Sequence, residues 1–161
     1  HWQTGERLPD DLYAKMLQAR HFHAGLFLVR QLEFALFDFR LHLEFDPARG
    51  PRTLELLDEV RDEVAVIRPP AFNRFPHGFT HIFAGGYSAG YYSYLWAEVL
   101  SADAFSAFEQ AGVFDADTGA RYRREILAVG GSRPALESFK AFRGREPRPD
   151  ALLRHSGMVA A

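Results

Sequence analysis

The chain has 161 residues, 47% hydrophobic and 25% charged, with a formal net charge of −2. That is enough for one hydrophobic core, and the charge balance offers no basic surplus for nucleic acid or an anionic membrane surface. Cysteine is absent, which excludes disulfides, thiolate metal sites and cysteine nucleophiles and suits a cytoplasmic protein. No apolar run approaches the length of a bilayer span, and no signal peptide is visible. Phe is abundant, at 15 residues, and the only lysines are Lys15 and Lys140. The first residue is His1, so the chain is expected to be a piece or a processed form of something longer.

The hydrophobic pattern is helical almost throughout. Pro9-Asp10-Asp11 reads as a helix start, followed by Leu12, Met16 and Leu17 at helical spacing. A longer helix is expected from His21 to Glu44. Phe22, Phe27, Leu36 and Phe39 make it apolar on more than one face, which predicts burial. Within it, Glu33, Asp38 and Glu44 are expected to pair with Arg30 or Arg40. Thr53 reads as the N-cap of a third helix, with Leu56, Leu57, Val60 and Val64 on one side, stopped by Arg68-Pro69-Pro70. Residues 71–90 are loop-like and rich in Gly; loops of that length are often functional. Helices are then expected over Tyr91–Gln110, Asp115–Ala128, Pro134–Phe142 and Asp150–His155. The fold class is all-α, a single helical domain over residues 1–161 with one Gly-rich loop.

Three motifs could hold chemistry. His77-Gly78-Phe79-Thr80-His81 spaces two His at i and i+4, but a zinc peptidase helix reads H-E-x-x-H and here the Glu position is Gly78. A solvated or satisfied pair is the better reading, and His21-x-His23 is weaker still. Gly86-Tyr87-Ser88-Ala89-Gly90 matches the G-x-S-x-G nucleophile elbow, with His155 downstream as a partner. That elbow needs a strand before it, and no alternation of strands and helices is visible. Tyr87, Tyr91 and Tyr94 are spaced i, i+4, i+7. If a helix begins near Ser88, their hydroxyls line one stripe, able to donate to a developing oxyanion. Spacing alone favours aromatic core packing. Arg143-Gly144-Arg145-Glu146 reads as a solvated turn before it reads as an anion site.

The run from Phe79 to Trp96, F-T-H-I-F-A-G-G-Y-S-A-G-Y-Y-S-Y-L-W, closely resembles a signature of the thimet oligopeptidase/oligopeptidase A family. So do His1–Glu6, Gln31–Arg40, Ile126–Ser132 and Phe142–Pro147, and the resemblance covers essentially the whole chain. It implies a C-terminal helical segment of a two-lobed, mostly helical, cytosolic zinc endopeptidase that cuts short peptides in a channel closed to folded proteins. In such proteins zinc sits on an H-E-x-x-H helix and a further Glu, both upstream of the segment that this chain resembles. The chain itself is therefore expected to bind no zinc and to be inactive alone. By resemblance, Tyr87 and Tyr94 contact the scissile carbonyl and the tetrahedral intermediate. His81 and Tyr91 assist substrate binding, and Gly85, Gly86 and Gly90 give the loop freedom and close approach to the peptide. The resemblance thus reverses the preference for core packing. A non-catalytic helical peptide-binding module remains the alternative. Apolar surface left open by missing neighbours predicts self-association of the isolated chain.

Overall fold

The computed structural model describes residues 1–159. Over that range the chain forms seven α-helices and no strand, as the all-α reading requires. The helices are α1 (Asp10–Ala19), α2 (Ala24–Leu43), α3 (Thr53–Val64), α4 (Ser93–Ala111), α5 (Ala116–Tyr122), α6 (Ala135–Arg143) and α7 (Asp150–His155). Short 3-10 turns stand at Pro47–Arg49, Phe75–Gly78 and Thr80–Ile82, and a π-helical turn at Arg123–Leu127 continues from α5.

Two apolar clusters organise these elements. In the first, α2 lies against α3, and Phe37, Leu57 and Val60 close on Phe79 and Ile82 from the segment that follows α3. Each such side chain, fully buried, contributes roughly 1.5–3 kcal/mol. In the second, α4 packs against α5, α6 and α7, with Ala104, Ala107, Phe139 and Phe142 at its centre and Leu100, Phe108, Tyr122 and Ile126 around them. Small residues on α4 let the aromatic rings of α6 approach closely.

α2 is not buried all round. Phe27 is 62% exposed, and Leu32, Phe39 and Leu43 are also open, because α3 and the following segment cover only the face of Glu33, Ala35, Phe37 and Asp38. Its start also differs from the expected His21. His23 adopts a left-handed backbone, φ 57°, so the helix begins at Ala24. α1 buries no residue at all, and one tie across to the end of the chain is a bond from Arg20 Nη2 to the His155 carbonyl, 3.2 Å. Thr53 is the first residue of α3 and not its cap; Arg52 holds the cap position without a side-chain bond to the backbone. Asp115 does cap α5, accepting from the Thr118 N–H at 2.8 Å.

Two of the three carboxylates singled out along the expected His21–Glu44 helix pair as expected. Glu33 meets Arg30 at 2.6 Å and, in addition, the buried Arg61 of α3 at 2.9 Å. Glu44 meets Arg40 at 2.7 Å. Asp38 does otherwise, as described below. The Arg143–Glu146 turn is solvated at Gly144 and Glu146, as expected, but its arginines are turned inward onto a carboxylate. Arg145 grips the buried Asp103 of α4 through two bonds, 2.7 and 2.5 Å, the Arg148 N–H adds a third at 2.8 Å, and Arg143 approaches at 3.4 Å.

Candidate substrate-binding site

The segment between α3 and α4 is where the tyrosines gather. It leaves the first core at Phe79 and Ile82 and turns tightly: Gly85 N–H donates to the Thr80 carbonyl (2.8 Å) and Tyr87 N–H to that of His81 (3.1 Å). Gly85 is required by close approach. A Cβ there would stand 2.8 Å from His81 Cα and 2.9 Å from its carbonyl oxygen. Gly86 takes φ 80°, a backbone conformation open mainly to glycine. Gly90 has ordinary surroundings, with nothing nearer to a Cβ than the Tyr87 carbonyl oxygen at 3.6 Å.

His81, Tyr87, Tyr91 and Tyr94 come together as the sequence expects. The Tyr87 and Tyr94 rings lie 5.0 Å apart, Tyr91 and Tyr94 5.2 Å, and the His81 ring is 6.1–6.5 Å from all three. The route differs from a helical stripe. α4 begins at Ser93, so only Tyr94 is on it. Ala89, at φ 54°, interrupts any helix starting near Ser88, and two successive turns fold Tyr87 and Tyr91 back toward Tyr94.

The four groups are not equivalent. Tyr91 is half-buried, ringed by Phe34 and Phe79, and its hydroxyl donates to Gln31 Oε1 on α2 at 2.9 Å. Burial pushes its phenol above the usual tyrosine range. Tyr87 and Tyr94 are open to solvent, 36% and 40% exposed. The adjacent Tyr87 hydroxyl, then desolvation and the charge of the neighbouring phenols, holds Tyr94 above that range too, so it remains a proton donor through neutral and mildly alkaline pH. His81 is exposed beside them.

Two residues on α2 support this group and were not singled out for it from sequence. Gln31 fixes the Tyr91 hydroxyl. Asp38, 1% exposed, accepts from the Ala89 N–H at 3.0 Å and the Tyr91 N–H at 2.9 Å, and contacts His42 Nδ1 at 3.0 Å. The local sequence offers only a carboxylate in an apolar stretch with no arginine at i±3 or i±4, and cannot name its partners, which lie 51 and 53 residues away.

Ser88 does not act as a nucleophile elbow. Its hydroxyl donates to the Ile82 carbonyl at 2.7 Å, no strand precedes it among the described residues, and His155 is held by Glu109 at 2.7 Å. His77 is exposed on a 3-10 turn, and among the described residues no group of three or more His, Asp or Glu is placed to hold a metal ion. A zinc ion does not fit the donor set that these residues present.

Comparison with known proteins sets this site in context. The profile of Peptidase family M3 matches residues 1–158. The chain is 57% identical over 158 residues to oligopeptidase A of Salmonella typhimurium, covering 98% of this chain and 23% of that protein. It is likewise 57% identical over 158 residues to oligopeptidase A of Escherichia coli, again 23% of its length. Against the organellar oligopeptidase A of Arabidopsis thaliana it is 54% identical over 166 residues, the whole of this chain and 21% of that one. The chain thus spans about a quarter of the length of the curated relatives it matches. On a match that runs nearly end to end, the chain belongs to Peptidase family M3.

Proposed function

We propose that this chain is the C-terminal portion of a zinc-dependent oligopeptidase that hydrolyses short peptides in the cytoplasm, and that it supplies groups that bind substrate and stabilise the oxyanion. The observation that supports this most directly is the pair of exposed phenols, Tyr87 and Tyr94, with rings 5.0 Å apart and His81 beside them, in a member of a peptidase family. When a peptide carbonyl is attacked, its oxygen gains negative charge. Two fixed O–H donors near that oxygen favour the transition state over the ground state, in which the carbonyl is a weaker acceptor. His81, exposed beside the tyrosine rings, would bond the peptide backbone or a side chain. Tyr91, its hydroxyl committed to Gln31, contributes a ring face and an acceptor lone pair. Gly85 and Gly86 let the segment turn tightly beside the substrate, and Gly90 leaves its approach to the helix uncrowded.

The zinc belongs to another part of the full-length protein, so the 161-residue chain alone is expected to be inactive. Zinc analysis of this chain with a quenched fluorescent peptide assay checks this. No zinc and no cleavage are expected, alongside cleavage by the full-length protein. Stoichiometric zinc with chelator-sensitive cleavage by the short chain would overturn the assignment. The same preparation is expected to self-associate, since Trp2 (88%), Phe72 (81%), Phe114 (98%) and all of α1 are open. Light scattering reads this directly, and a monodisperse monomer at high concentration would contradict it.

A further inference from the structure

Resting on the reading of Tyr87 and Tyr94 as oxyanion donors, we infer that Asp38 is the positioning residue of the tyrosine group, acting from α2 through the backbone at Ala89 and Tyr91. Its carboxylate is 1% exposed and spends both oxygens on this segment: Oδ1 accepts from Ala89 N–H (3.0 Å) and Oδ2 from Tyr91 N–H (2.9 Å). His42, one turn further along α2, steadies the carboxylate, with Nδ1 3.0 Å from Oδ1 and 2.8 Å from the Asp38 carbonyl. A buried carboxylate is disfavoured unless its oxygens are bonded, and here the bonds go to one loop.

The two pinned amides lie at the pivot of the site. Ala89 holds a left-handed backbone, φ 54°, which a residue with a Cβ keeps only when its surroundings enforce it. Tyr87 precedes it by two residues and is tied in by the Gly90 N–H, 2.8 Å from the Tyr87 carbonyl. Tyr91 is pinned itself, and Tyr94 N–H reaches back to the Tyr91 carbonyl at 3.3 Å. Tyr91 therefore hangs from a peptide unit that Asp38 fixes, and Tyr87 and Tyr94 are each one backbone hydrogen bond away from the pinned segment. A small shift of residues 89–91 moves every one of them, and misplacing a catalytic donor by about 1 Å can cost a hundredfold in rate.

Asp38→Asn keeps the shape but leaves one accepting oxygen and turns an NH2 group toward the second N–H. In the full-length protein, it is expected to lower kcat on a quenched fluorescent peptide by about ten- to a hundredfold with KM little changed. Hydrogen exchange at the Ala89 and Tyr91 amides is expected to quicken. Ala89→Gly removes the Cβ that resists the left-handed backbone. Added to Asp38→Asn, it is expected to raise the melting midpoint without restoring kcat. The double variant Asp38→Asn/Tyr94→Phe is expected to be slower than Tyr94→Phe alone by less than the factor that Asp38→Asn costs in the wild-type background, because part of that cost is the Tyr94 donor already removed.

Recovery of kcat together with the midpoint in Asp38→Asn/Ala89→Gly would reduce Asp38 to a structural residue and overturn the inference. So would an unchanged kcat in Asp38→Asn beside a slowed Tyr94→Phe, an outcome that leaves the proposed function standing. Tyr94→Phe at the wild-type rate would instead remove the proposed function. If Asp38→Asn does not fold, the comparison is made between Ala89→Gly and the double variant, and equal kcat values there would refute the positioning role.

Discussion

Tyr94→Phe in the full-length protein is expected to lower kcat by about a hundred- to a thousandfold while leaving KM nearly unchanged. The substitution deletes one oxygen and nothing else. The ring keeps its place between Tyr87 and Tyr91, 5.0 and 5.2 Å away, so the aromatic packing survives and the donor is lost. A donor whose partner gains charge only during the reaction affects kcat and kcat/KM equally; one that binds the ground state would raise KM instead. Because the Tyr94 phenol is held above its usual range, it stays protonated across the neutral and mildly alkaline region, and the Phe variant should alter the height of the pH–rate profile there and not its shape. Steady-state kinetics on a fluorogenic peptide decide the matter. A kcat equal to wild type would remove Tyr94 from the chemistry.

Asp103→Ala is expected to destabilise the second half of the chain by about 3–5 kcal/mol, the cost of stripping one partner from a buried ion pair. Asp103 is 1% exposed and joins α4 to the turn after α6 through Arg145, the Arg148 N–H and Arg143. Removing it leaves Arg143, 8% exposed and already pushed down by burial, without its nearest anion. Burial raises the Asp103 carboxyl, but the bonds from Arg145 and Arg148 outweigh that and hold it below the usual aspartate range. Its folded-state value therefore lies below its unfolded one. The stability it adds is complete above the unfolded value, about pH 4, and is lost as pH falls through the lower folded value. Denaturant titrations followed by helical circular dichroism, repeated from neutral to acid pH, should show the gap between wild type and Asp103→Ala narrowing only at the acid end. A loss at neutral pH under about 0.5 kcal/mol, the level of an ordinary surface change, would refute this.

Much of the fold was legible because the helices announce themselves locally. α7 begins at Asp150 and ends at His155 as read, and α3 follows from the spacing of Leu56, Leu57, Val60 and Val64. α6 lies within one residue of its expected ends, with Pro134 just before it. The expected Asp115–Ala128 helix keeps its extent but changes register, passing from α5 into a π-helical turn at Arg123. Boundaries failed where the backbone does something its residue type does not advertise. His23 and Ala89 both take positive φ without being glycine, and each delays the helix that follows.

The site was legible in part. Spacing brought Tyr87, Tyr91 and Tyr94 to notice, and the resemblance supplied the expectation that Tyr87 and Tyr94 act as donors. The supports were hidden, because Gln31 and Asp38 act on residues more than fifty positions away. The exposed apolar face of α2 was also misjudged. Hydrophobicity says that a face should be covered, whereas only contacts say by what, and α3 reaches just one side of that helix.

The separation of the two apolar clusters bears on how the chain acquires its structure. Phe37 meets Leu57 and Val60 across a short stretch of sequence, and Ala104 and Ala107 meet Phe139 and Phe142 across another. Neither cluster borrows a buried residue from the other. Contacts confined to one half of the chain cost less loop-closure entropy than contacts that would join the halves. On a ribosome, where residues emerge in order, the α2–α3 half can collapse before α6 has been made. The turn that presents the tyrosines, anchored on α2, would then be in place early, and α4 would grow outward from it toward partners still to be synthesised.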